Sequence, residues 1–203
     1  MQQSLPILLY DERQLTPALG YVFESAWVNP EESILSILWK FAYMNSISGQ
    51  ALVSQASIQV IDPYEGCEFT HETVDVSRVA QTLQLPYHII ETGLGSAAQK
   101  YSQSAHFRWC MLCLRRGYHS AIHQFECVRR CPAHQVFLET ACRYCHEPTA
   151  YRLQAKMLDS PFRCCQCGVR YCIYAQPFYR FSLSAPIPFA NFSRTRMLRL
   201  SGK

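Results

Sequence analysis

The chain has 203 residues, 49% of them hydrophobic and 17% charged, with a formal net charge of +4. This is enough apolar material for one or two small domains, yet no apolar run approaches the roughly 20 residues that cross a bilayer. The longest, around Ile34–Met44, is interrupted by Ser36 and Lys40.

In chain order, Met1–Tyr10 shows no basic, apolar, small-residue leader, so a cytoplasmic protein with reduced thiols is expected. Within it, Leu5–Tyr10 reads as a short strand, and residues 11–30 read as irregular. Asn29 as N-cap, Pro30 at the first helical position and Glu32 three residues after the cap spell a helix start. The predicted helix runs from Pro30 to about Asn45. Ile34, Leu35, Leu38, Phe41 and Ala42 form its core side, and Ser33, Ser36, Lys40 and Tyr43 its wetter side. After a break at Ser46–Gly49, Gln50–Ala56 is predicted as a second helix and residues 57–74 as loop. Val76, Val79, Ala80 and Leu83 then follow the helical period, with Asp75 as cap. Leu85–Pro86 ends that helix, and Tyr87–Thr92 forms another closed by Gly93. The pair has the outline of a helix-turn-helix, which any small helical hairpin shares. Tyr87, His88 and Glu91 supply no cation to meet phosphate.

Four ligand pairs, each with a two-residue spacer, follow in residues 110 to 167: Cys110/Cys113, Cys131/His134, Cys142/Cys145 and Cys164/Cys167. A two-residue spacer lets a tight turn aim both side chains at one point, and two such turns complete a tetrahedral shell. Pairs separated by roughly 15–20 residues match the grammar of a structural zinc site. The chain meets that grammar twice, so two structural Zn2+ ions are expected, one held by three cysteines and a histidine and the other by four cysteines. Sequential pairing is favoured, because only seven residues separate His134 from Cys142; an interleaved cross-brace is the alternative. Neither site is expected to be catalytic. A catalytic zinc keeps an open position beside three protein ligands and a general base, whereas here protein fills both shells. Glu147 is read as an ordinary surface charge. The remaining Cys67, Cys127, Cys165 and Cys172 are expected to be small buried or half-buried residues, and His106, His119, His123 and His146 are not expected to be ligands.

Charge is divided along the chain. Residues 1–100 carry four basic side chains against eleven acidic ones, a net of −7, while residues 101–203 carry fifteen against four, a net of +11. Seven thiolates on two Zn2+ would bring the second half nearer +8, and it stays basic. The two halves are therefore expected to meet different partners, the basic one being suited to DNA. Arg115, Arg116, Arg129, Arg130 and Arg143 cluster around the knuckles and are the candidate nucleic-acid contacts. After Cys172 comes a tail with five cations, no acid and interleaved aromatics. It suits phosphate contact with stacking, or docking on a partner.

The segments "PEESILSILWKFAYMN", "WCMLC", "CPAHQVFLETACRYC" and "RCCQCG" together resemble the TniQ family of transposon targeting proteins, over roughly Pro30 to Gly168. The most specific part is C-x2-H-x7-C-x2-C at Cys131–Cys145. The chain has Met111 where members often have proline, and it stops at Lys203, so it resembles the short class or a truncated relative. The resemblance implies a mainly α fold with small zinc-stabilised modules. A helical, helix-turn-helix-like protein-interaction domain would occupy residues 1–100, tandem zinc fingers 101–173 and the basic, aromatic tail 174–203. It implies a non-enzymatic adaptor that links a target-recognising factor or target DNA to an AAA+ transposition ATPase, and so to the transposase. An RNA-guided effector complex and a homodimer belong to the same set of expected partners, with a bacterial, nucleoid-associated location when engaged and no membrane. A stand-alone zinc-finger DNA-binding regulator is the alternative.

Overall fold

The first long helix, α1 (Ile34–Asn45), starts a full turn later than the Asn29–Pro30 signal predicts. Glu31 takes a left-handed backbone (φ 58°), which interrupts any helix begun at Pro30. Ser33 caps α1 instead, its hydroxyl accepting from the Ser36 amide at 3.2 Å. The Asn29 amide does donate to Glu32 Oε2 at 2.9 Å, but this closes a turn rather than a helix. Structure is described here, in a computed structural model, for residues 21–95 and 101–172. The predicted strand at Leu5–Tyr10 and the basic tail lie outside them.

The expected wetter side of α1 is corrected too: Tyr43 is half exposed, but Ser33, Ser36 and Lys40 are fully buried. Lys40 Nζ meets Glu32 Oε1 at 2.6 Å and Oε2 at 2.8 Å, and donates to the Trp27 carbonyl at 2.6 Å. Ser36 Oγ donates to the same carboxylate at 2.6 Å. Burial pulls the lysine's pKa down, and the Glu32 charge opposes that pull. The periodicity argument treats a lysine as solvent-seeking; a fully paired lysine is the exception.

Helix α2 (Gly49–Ala56) is capped by Ser48 and matches its predicted span to within a residue. Within the predicted loop 57–74 lies a short strand, β1 (Cys67–Glu68), too brief to show a period. Helix α3 (Val76–Leu83) carries the predicted Asp75 cap, whose carboxylate accepts from the Arg78 amide at 2.9 Å. Gln84, left-handed at φ 53°, turns the chain into α4 (Tyr87–Gly93). The helical pair is therefore present as predicted.

The later segment contributes α5 (Met111–Leu114), β2 (Arg152–Leu153) and α6 (Ala155–Leu158). Strand β2 pairs antiparallel with β1, placing Cys67 opposite Leu153 and Glu68 opposite Arg152. Helix α6 packs on α1 and α2. Trp39 of α1 donates its indole N–H to the Met157 carbonyl at 2.7 Å, and its ring meets Phe107 and Phe162 edge-on or tilted. At the start of α2 a Cβ on Gly49 would sit 2.3 Å from the Ala155 carbonyl oxygen, so only glycine allows this approach. One hydrophobic core thus runs from Ile34 to Cys172, spanning the helices and the ligand-bearing segment.

The segment before α1 joins the two as well. The Ser33 amide donates to the His119 carbonyl at 2.8 Å, and the Ala121 amide to the Glu31 carbonyl at 3.0 Å. Tyr118 donates its hydroxyl to the Pro30 carbonyl at 2.9 Å. His119, fully buried, lies 2.6 Å from Ser33 Oγ through Nδ1 and 2.8 Å from the Arg108 carbonyl through Nε2. A carbonyl only accepts, so Nε2 carries the proton and Nδ1 accepts from the serine.

Candidate metal centres

Three of the four ligand turns share one backbone frame. The amide of the first ligand donates to the carbonyl five residues on, Cys131 to Val136, Cys142 to Glu147 and Cys164 to Val169, at 2.8 to 3.0 Å. The amide four residues on donates back to the first ligand's carbonyl, and that position is left-handed: Gln135 (φ 58°), His146 (φ 61°) and Gly168 (φ 73°). Only the last is the glycine that such a turn favours. The residue before the first ligand bridges to the residue six after it: Arg130 to Phe137, Ala141 to Pro148, Arg163 to Arg170. The first turn differs, running from Cys110 directly into α5 and closing at Gly117 (φ 68°).

These turns gather the eight predicted residues into two sets, paired sequentially. Cys110, Cys113, Cys131 and His134 form one and Cys142, Cys145, Cys164 and Cys167 the other, with ligand atoms within 4.8 Å of one another in each. In the first, Cys113 Sγ and Cys131 Sγ are 3.6 Å apart, and His134 Nδ1 lies 3.3 to 3.5 Å from the three sulfurs. In the second, Cys142–Cys167 and Cys145–Cys164 are each 3.7 Å apart. A tetrahedron with metal–sulfur bonds of about 2.3 Å and a metal–nitrogen bond of about 2.0–2.1 Å has edges of about 3.8 Å (S–S) and 3.6 Å (S–N). The donors sit at those edges, and far outside the roughly 2.03–2.05 Å of a disulfide. The Tyr144 and Gln166 amides donate to the Cys142 and Cys164 sulfurs, each at 3.4 Å.

The first shell cannot hold its charge unaided. Hydrogen bonds from Cys113 and Cys131 draw the Cys110 thiol down to about 2, and the Cys110 thiolate in turn pushes Cys113 far up. One thiolate among buried neighbours blocks the next, and a cation at the centre relieves all three. The donor chemistry and spacing therefore fit one metal ion per set.

The other cysteines stand apart from the shells. Cys165 turns its sulfur toward Thr149 Oγ1 at 3.9 Å, leaving Cys164 as the ligand. Cys67 and Cys165 are half-buried and Cys172 is buried, but Cys127 is exposed, against expectation. It occupies a turn whose two anchors, Phe125 and Val128, face inward. None of the four further histidines joins a set; His119 and His123 are wholly buried, and neither ring nitrogen of His123 has a partner.

Arg115, Arg116, Arg129, Arg130 and Arg143 are all exposed. Arg143 is ion-paired with Glu139 at 2.5 Å, so part of its charge is already answered. Sequence reasoning passed over Arg163 and Arg170, also exposed. The signal was available: R-C-x2-H-Q-V at Arg130–Val136 repeats as R-C-x2-C-G-V at Arg163–Val169. No family model and no curated protein matches this chain. The described residues define a mainly helical protein with a two-stranded sheet and two tandem ligand sets, the first of three cysteines and a histidine, the second of four cysteines. No described helix is long and apolar enough to cross a membrane.

Proposed function

We propose that the chain is a non-enzymatic targeting adaptor of DNA transposition, with its second half held together by two structural zinc ions. The observation that carries this reading is the closure of both shells by four protein donors at tetrahedral spacing. Thiolate-rich tetrahedral sets select zinc over harder cations. A shell with all four positions filled by protein offers no site for a reacting water or substrate. The ions then serve folding, fixing turns from which arginines project. The basic half suits DNA and the acidic half a protein surface. The TniQ resemblance supplies the AAA+ transposition ATPase as that protein, since an ATPase assembled on DNA presents both surfaces. Two linked weak contacts gain by effective concentration without any new interaction.

The test has two parts. Elemental analysis of the purified chain should give two zinc ions per molecule. The full chain is then titrated against an AAA+ transposition ATPase with and without DNA, alongside a variant with the five knuckle arginines changed to glutamine. The variant should lose affinity for the DNA-bound assembly, its salt dependence flattening by about one unit of slope per lost phosphate contact. Unchanged binding at every salt concentration would sink the DNA-facing assignment. Tight duplex binding with no response to the ATPase would support the stand-alone regulator instead.

A further inference from the structure

We infer that Arg130 and Phe137 form a stacking platform for an unpaired nucleic-acid base. This rests on reading the knuckle half as a nucleic-acid surface, and adds to it which bases are engaged. The inference starts from the repeated frame. Arg130 and Arg163 hold equivalent positions, and each donates Nη1 to its own turn, Arg130 to the Gln135 carbonyl at 3.1 Å and Arg163 to the Gly168 carbonyl at 3.2 Å. The arginine is thus part of the frame, and its guanidinium is fixed in place.

What the frame does not need is the ring. Phe137 occupies the position that Arg170 holds in the equivalent turn. It is 64% exposed and belongs to no core cluster, so it contributes little to folding. The Arg130 guanidinium lies 4.0 Å from the Phe137 ring centroid, which holds the ring plane steady over the knuckle. An exposed aromatic ring with a cation held against it, and exposed Arg129 next in sequence, matches a nucleotide, which offers a π face and a phosphate together. An apolar protein partner would have to desolvate the Arg130 guanidinium at the ring. In a duplex the base faces are hidden in the stack, so the ligand is a single strand or an unpaired bulge. DNA and RNA share this chemistry.

Anisotropy titrations of the zinc-loaded full chain against single-stranded DNA, single-stranded RNA and duplex DNA of one sequence test the platform. Phe137→Ala should weaken single-strand binding about 5- to 100-fold and duplex binding by no more than about twofold, while Phe137→Tyr retains both. The larger loss on DNA or on RNA identifies the source of the base. Zinc content and melting temperature establish that Phe137→Ala is folded. Equal losses on single strand and duplex, or none on either, would overturn the platform, even where the wild type binds duplex and the adaptor reading stands. A loss confined to ATPase binding would overturn it too, making the ring a protein contact. A wild-type chain that binds no nucleic acid overturns both.

Discussion

Individual residues differ sharply in what they hold together. Cys131 supplies one of four corners of a buried shell and its amide closes the turn around it. Since structural metal binding is coupled to folding, Cys131→Ser should release one zinc per chain and leave the knuckle segment protease-sensitive. Cys67→Ser, half-buried and away from both shells, should keep both ions and cost less than about 1 kcal/mol. Elemental analysis beside limited proteolysis reads both outcomes. His119 carries a different liability. Burial lowers its pKa from 6.5 to about 4, so the folded state takes up this proton at lower pH than the unfolded chain does. The histidine's contribution is intact above pH 6.5 and lost as pH falls from 6.5 toward 4, about 3 kcal/mol in all. His123, wholly buried and pushed well down by the same cause, adds in the same direction. Urea unfolding at pH 7 and pH 5, in excess zinc, should show the wild type losing more stability than His119→Gln. Equal losses would remove His119 as a source and leave His123 and zinc release to account for the acid sensitivity.

Among the elements, α1 carries the buried ion pair. Lys40→Met would leave the Glu32 carboxylate buried without a countercharge and without its strongest donor, a change that costs about 3–5 kcal/mol. Adding Glu32→Gln should recover much of that loss, which chemical denaturation of the single and double variants would measure. The same helix shows where the sequence could and could not be read. Helix α3 was legible because its Asp75 cap and apolar period agree, and α2 and α4 because the Ser46–Gly49 break and Leu85–Pro86 mark where the chain turns before each. The start of α1 was not, because Asn29, Pro30 and Glu32 satisfy the capping rules while Glu31 turns left-handed to reach residues 118 to 121. The grouping of the eight Cys and His residues was legible, since a two-residue spacer encodes a turn within four residues. Sequential pairing was favoured by the short link but fixed only by tertiary packing. Strands β1 and β2 lie too far apart in sequence, and are too short, for any window to connect them.

At the scale of the whole molecule, composition changes near residue 100, but packing crosses that point. The Trp39 indole, the β1–β2 pair and the Gly49–Ala155 approach all join the two sides. A chain cut at residue 100 should therefore give halves that bind a hydrophobic dye and show no cooperative melting, whereas the intact zinc-loaded chain melts in one transition. Two separate transitions in the intact chain, each reproduced by one half, would contradict a common core. The Trp39–Met157 hydrogen bond joins residues 118 positions apart, and that distance is also a delay. Synthesis at roughly 5–20 residues per second separates the two partners' appearance by about 6 to 24 s. During that interval α1 has left the ribosome with its apolar face uncovered, and α6 has yet to be made. The nascent chain thus exposes, until α6 emerges, the kind of apolar surface that chaperones bind.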